Sequence, residues 1–176
     1  MRFTCRMLMV CALLIWLAPS ARPQEPPKPG PEHEQLKQME GTWDATVKMM
    51  GQESKGTMKY KMGIGGLWLT SHFEGDFGGM KFEGRGLDTF DTNKKKYLGV
   101  WADSMSTSPM IMEGDYDKES KTLTMSGKGP GPDGKPVKYK SVVKMIDDDT
   151  MEFTMSGPGP DGKEGVVLTI SYKRKK

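Results

Sequence analysis

The sequence predicts an all-β protein: a single up-and-down antiparallel β-barrel of about ten strands, with a short N-terminal helix capping one end. Three observations carry this. Past residue 40, short runs that alternate apolar with polar residues follow one another to the C-terminus, at the spacing of strands joined by turns. Clusters of Gly, Pro, Asn and Asp separate the runs and favour turn geometry. A series of antiparallel strands this regular removes its exposed edges by closing on itself. A small barrel either fills its interior with side chains or holds one ligand. The pattern therefore points to a container and specifies no reaction.

The chain has 176 residues, the size of one domain. Residues 1–21 read as a signal peptide. Arg2 and Arg6 form a basic start, 7–18 is an apolar run, and Ala18, Ser20 and Ala21 are small residues suited to cleavage. The apolar run is short for a membrane span; an uncleaved anchor is the alternative. Leu8-Met9-Val10-Cys11 only faintly matches a lipid-attachment box. Both cysteines, Cys5 and Cys11, lie in this leader, so an exported mature protein has neither disulfides nor thiolate chemistry. The expected location is periplasmic or extracellular. No other stretch is apolar enough for an integral membrane span.

The chain carries 26 Lys and Arg against 23 Asp and Glu. Setting Arg2 and Arg6 aside with the leader leaves a net charge near +1, which predicts no general affinity for nucleic acid. Residues 22–31 hold five prolines and form a stiff linker. The barrel domain is then 32–176. Pro31 can start a helix over 32–40, with Leu36 and Met39 on one face and Gly41 ending it.

The strands are expected at 42–50, 56–62, 67–77, 80–90, 96–104, 110–116, 121–127, 137–147, 150–156 and 164–173. In the first, Trp43, Ala45, Val47 and Met49 alternate with Asp44, Thr46 and Lys48. In a meander, alternate loops share an end. The connections 51–55, 78–79, 105–109, 128–136 and 157–163 are long or rich in Gly, Pro and Ser; 63–66, 91–95, 117–120 and 147–149 are tight and mostly charged. The first set is read as an open end of pliable loops, the second as a closed end beneath the helix. Thr-Met-Ser-Gly recurs at 124–127 and 154–157, and Pro-Gly-Pro-Asp-Gly-Lys at 130–135 and 158–163. Two hairpins using one turn solution explain the repeat; a calcium loop needs more carboxylates than one Asp per copy.

Gly41-x-Trp43 after a short helix, with a basic residue closing the last strand, resembles the lipocalin and calycin signature. The resemblance implies that Trp43 lies at the closed end with Arg174, or Lys173, packed over it. The run Gly75-Asp76-Phe77-Gly78-Gly79-Met80, then Phe82-Glu83-Gly84-Arg85-Gly86, Phe90-Asp91 and 95–106, is similar to the bacterial DUF1579 family. Phe90 stands where that family's pattern leads one to expect Tyr. The family implies the fold and assigns no activity. Some haem-binding calycin relatives use a His near the chain's end; none stands there in this sequence.

Trp101 and Asp103 are two apart on one strand and share a face. Trp68, Thr70, His72 and Glu74 form one face of the third strand, and Arg85 lies between two glycines. His72, Glu74, Arg85 and Asp103 are candidates for an internal polar cluster, with Arg85 paired to Asp103 or Glu74 because a buried charge needs a partner. The plainer reading is a structural ion pair or a solvated outer row. Arg85 has the opposite parity to Phe82, Gly84 and Gly86, which favours the solvated row. Two distant histidines, His33 and His72, cannot build a tetrahedral zinc site. Met105, Met110 and Met112 offer soft ligands for Cu(I), although methionine also fills and lines adaptable interiors. No nucleophile motif or phosphate loop is present.

The expected function is binding of a small, largely apolar molecule. The candidate ligand-binding residues are Trp68, His72, Phe82, Arg85, Trp101, Asp103, Met110 and Met112, with Trp43 as a further lining candidate. Gly41, Trp43 and Arg174 form the structural signature. No cofactor or metal is expected, and the protein is read as a monomer or weak homodimer. Two other classes compete: a barrel isomerase or hydrolase using His72, Glu74 or Asp103, and a filled barrel acting as an interaction module.

Overall fold

The computed structural model describes residues 25–131, 133–159 and 161–176. The segment 1–21, expected as a signal peptide and holding Cys5 and Cys11, lies outside the described residues. The rest forms helix α1 (Pro31–Lys37) and ten strands: β1 (Gly41–Met49), β2 (Gln52–Gly63), β3 (Trp68–Phe77), β4 (Met80–Asp91), β5 (Lys96–Asp103), β6 (Met110–Asp117), β7 (Thr122–Pro130), β8 (Pro136–Asp147), β9 (Thr150–Pro158) and β10 (Glu164–Arg174). Each strand pairs antiparallel with its sequence neighbours, and β1 pairs with β10 to close the barrel.

The alternation read from the sequence is the alternation of inside and outside. Along β1, Trp43, Ala45 and Val47 are buried while Asp44 and Lys48 are exposed. Two strands run three or more residues past their expected bounds. β2 begins at Gln52, because Met50 and Gly51, both at positive φ, make a two-residue turn. The connection 51–55, expected as a loop, is thus mostly strand. β7 extends through Pro130. The two Asp-Gly loops take one geometry: Gly134 and Gly162 have φ of 77° and 75°, and each donates its N–H to the glycine three residues back, at 2.9 Å.

The closed end is a built floor. Pro31 starts α1, and Leu36 and Met39 turn into the barrel. His33 is structural: its Nδ1 accepts the Gly30 N–H at 3.0 Å, and its ring meets Phe90 edge-on. The Tyr97 hydroxyl donates to the Glu32 carbonyl. Trp43 is fully buried and donates from Nε1 to the Met39 carbonyl at 2.8 Å. Arg174, paired directly with Trp43 across β1–β10, lays its guanidinium 4.1 Å from the centre of the indole. It also donates to the carbonyls of Gln38, Glu40 and Asp148. Of the two basic candidates, Arg174 fills the role and Lys173 does not. Gly41 is required by the same contact. Its φ is +132°, and a Cβ there would lie 2.6 Å from Arg174 Nη1.

Candidate functional site

Above this floor the barrel encloses a cavity of about 760 Å³, within the range of small-molecule sites. Its wall is mainly apolar, with Phe73, Phe153, Leu168 and Ile170 among the lining residues, and residues 105–108 and 130–131 frame the mouth. Phe82, Trp101, Asp103, Met110 and Met112 all line it.

The space exists partly because several inward positions are glycine. Gly86 pairs with Trp101 and Gly84 with Asp103, so the indole lies flat against a wall without side chains. A Cβ on Gly84 would fall 2.1 Å from Trp101 Cζ2. Trp101 Nε1 donates to Asp103 Oδ2 at 3.0 Å, and Asp103 Oδ1 accepts the Met105 N–H at 2.9 Å. Asp103 therefore holds the Trp101 ring and the mouth loop together. Gly84→Val is expected to push the indole into the cavity, cost about 1–3 kcal/mol of stability and weaken a bound apolar dye about tenfold, or about 1.4 kcal/mol. Trp fluorescence and a dye titration check this; unchanged dye affinity with a shifted indole would show that the ring does not bound the site.

Deeper in the cavity sits a group that the sequence reading missed. Asp88 lies on the inward row of β4 with Phe82, Gly84, Gly86 and Phe90. It pairs with Leu69 on one side and Gly99 on the other. Its carboxylate rests over Gly99, where a Cβ would come within 2.6 Å of Oδ1 and 3.2 Å of Met125 Cε. Asp88 is enclosed by the barrel and shows its surface to the cavity. No hydrogen bond or cation from the described residues offsets its burial, which alone raises its pKa from 3.8 to about 7. Two phenols lie nearby. Burial raises Tyr60 well above the ordinary tyrosine range, and Tyr172 and then Asp88 add to the effect; Tyr172 is raised by burial. The signal for Asp88 was the parity of β4: continuing the row Phe82, Gly84, Gly86 by one step reaches it.

Three expected site residues, and Trp43, lie elsewhere. β3 turns Leu69, Ser71 and Phe73 inward, which places Trp68, His72 and Glu74 on the outer wall. Arg85 is also outside, across from His72 in the β3–β4 register. The polar cluster is real but external, and it omits Asp103. Arg85 donates from Nε and Nη2 to Glu83 Oε1 at 3.1 and 2.9 Å, and His72 Nε2 is 3.3 Å from the same oxygen and 3.8 Å from Glu74 Oε1. The partner of Arg85 is thus Glu83, rather than Asp103 or Glu74. The Arg85 hydrogen bond, followed by its charge, lowers the Glu83 pKa, with a smaller contribution from His72. Of the alternative catalytic candidates His72, Glu74 or Asp103, the first two lie on the outer face of the wall and Asp103 on the inner one. Trp43 belongs to the floor rather than the lining.

Apart from the exposed Met50, Met80 and Met105, the described methionines are spread around the interior. Met112 Sδ accepts the Ser141 hydroxyl at 3.7 Å, Met110 packs on Gly129, and Met105 is exposed on the mouth loop. Met58, Met125 and Met155 line other strands of the same cavity. No helix among the described residues is long and apolar enough to cross a membrane.

The family described as a protein of unknown function, DUF1579, matches residues 28–174. A search of curated proteins finds no match. The crystal structure of Rv2717c from M. tuberculosis is similar in fold, with a TM-score of 0.64 and 15% identity, covering 84% of this chain and 99% of that one. A de novo designed fluorescence-activating β-barrel matches with a TM-score of 0.46 and 16% identity over 80% of this chain and 96% of its own.

Proposed function

Since the chain belongs to the DUF1579 family, whose description assigns no activity, we propose from its cavity that it binds one small, largely apolar molecule inside the barrel. The observation that carries this is the cavity of about 760 Å³ that the side chains leave behind an open mouth. A barrel serving only as a scaffold needs no such space, because side chains fill small barrels readily. The inner glycines hold the space open, and the flexible thioethers let its wall adapt to a ligand. Export is part of the proposal. The basic start, the apolar run 7–18 and the small residues up to Ala21 support it.

One preparation tests both parts. The protein is purified without detergent from its own cells and weighed by mass spectrometry under native and denaturing conditions. The expected result is a mass excess lost on denaturation, with a denatured mass lacking about the first twenty residues. Nile red, a neutral apolar dye, should brighten on titration and be displaced by the extracted ligand. Absence of both a mass excess and dye uptake would overturn the carrier reading. A full-length denatured mass would overturn export with cleavage.

A further inference from the structure

We propose that the molecule bound in the barrel carries a positively charged nitrogen, seated against Asp88 at the bottom of the cavity. This rests on the carrier reading and adds the chemical class of the ligand.

The argument starts from the inventory of charge along the inner wall. The cavity is lined by two carboxylates, Asp88 and Asp103, and by no Lys, Arg or His among the described residues. Asp103 is already engaged by the Trp101 indole and the Met105 backbone. Asp88 has no such partner, and nothing that packs against it supplies a cation. On β2 the facing titratable group is Tyr60, and on β10 it is Tyr172. On β3 the facing residues are Leu69 and Ser71, with His72 and Glu74 outside. On β5 the facing residue is Gly99, with Tyr97 nearer the floor and Asp103 nearer the mouth. Along β4 itself, Glu83 and Arg85 are outside. At the closed end, His33 is bonded to Gly30, Glu40 accepts the Met62 N–H, and Arg174 is committed to three carbonyls.

A buried carboxylate without a partner costs the fold free energy, and a cation arriving with the ligand removes that cost. An ammonium fits the surroundings in two further ways. It can donate to Asp88 and to the oxygens of Tyr60 or Tyr172, and the aromatic faces nearby favour a cation over a neutral group. An anionic lipid such as a fatty acid meets the reverse: two carboxylates and no countercharge.

The test is displacement of Nile red from the full chain at pH 8 by four ten-carbon probes: decylamine, decyltrimethylammonium, decanol and decanoate. The expected order places both cations at least tenfold tighter than decanol, and decanoate weakest. Asp88→Asn, with each probe's displacement referred to the variant's own Nile red affinity, should reduce the preference for cations over decanol to within about twofold. As a second readout, decylamine binding near pH 6.5 should release a proton, seen as a heat that varies with the ionisation enthalpy of the buffer, and near pH 9 it should not. Equal binding of amine and alcohol, a preference unchanged in Asp88→Asn, or tighter binding of decanoate would overturn the assignment. Nile red binding would then still uphold the carrier. Failure of Nile red and all four probes to bind would overturn both readings.

Discussion

Asp88→Asn is expected to stabilise the empty protein at pH 8, by about 2–4 kcal/mol, and to change its stability little at pH 3.5. The carboxyl titrates near 3.8 in the unfolded chain and near 7 in the barrel. Between those values the folded protein keeps a proton that the unfolded chain has released. The parent should therefore lose stability as pH rises from about 4 to about 7 and be level above that. The Asn variant lacks this descent, so the two stability curves should diverge across that window. The exposed carboxylates with lowered pKa, Glu83, Asp117, Asp133 and Asp147, act in the opposite sense, losing their contribution as pH falls through the acid range. They are common to both proteins and cancel in the comparison. Urea unfolding at a series of pH values measures it; parallel curves would mean that the cavity solvates Asp88 fully. A residue whose removal strengthens the empty fold fits a position kept for binding.

Trp43→Ala is expected to cost about 3–5 kcal/mol, the upper range for removing a large aromatic side chain from a core. The side chain is fully buried, and its loss does more than leave a void. The Met39 carbonyl loses the indole N–H, and Arg174 loses the face on which it lies. The floor should loosen as a unit, freeing α1 from the barrel. Trp43→Phe, which keeps a ring without the N–H, should lose about 1–2 kcal/mol and guards against a variant that fails to fold. Trp68→Ala on the outer wall should cost clearly less than Trp43→Ala. Denaturant titration with far-UV circular dichroism ranks the three. Equal losses at Trp43 and Trp68 would show that the floor is not what holds the barrel shut.

The number and order of strands were legible because most inner positions are apolar or small and the connections carry Gly, Asp, Ser or Pro. The closed end was legible from its tight, charged turns, and the packing of Arg174 over Trp43 from the resemblance to the lipocalin and calycin signature. The orientation of β3 was not. Its two faces, Trp68-Thr70-His72-Glu74 and Leu69-Ser71-Phe73, each mix apolar with polar groups, and one tryptophan drew attention to the wrong face. Placing β3 outward-for-inward carried His72 and Glu74 with it. β4 held enough information, since Arg85 opposes the row of Phe82, Gly84 and Gly86. That row was not followed on to Asp88, because an aspartate in a strand reads first as a solvated residue. The cavity was the least legible property. Methionine and phenylalanine serve equally to fill a barrel or to line one. What decides is how many inner positions are glycine and which rings lie back against them, as Trp101 does on Gly84 and Gly86.

The seam between β1 and β10 bears on how the chain reaches this state. Trp43 meets Arg174 and Met49 meets Leu168, so closure joins the first strand to the last, whereas all other rungs join sequence neighbours. Hairpins can assemble locally and early, but this pairing closes the longest loop in the molecule and should come last. Until it does, an intermediate of up to ten strands presents two open edges and an uncovered apolar face. That is the form most prone to associate with other copies. The arginine that clasps Gln38, Glu40 and Asp148 then acts as a latch on the finished barrel, and replacing it should raise the unfolding rate more than it lowers the folding rate.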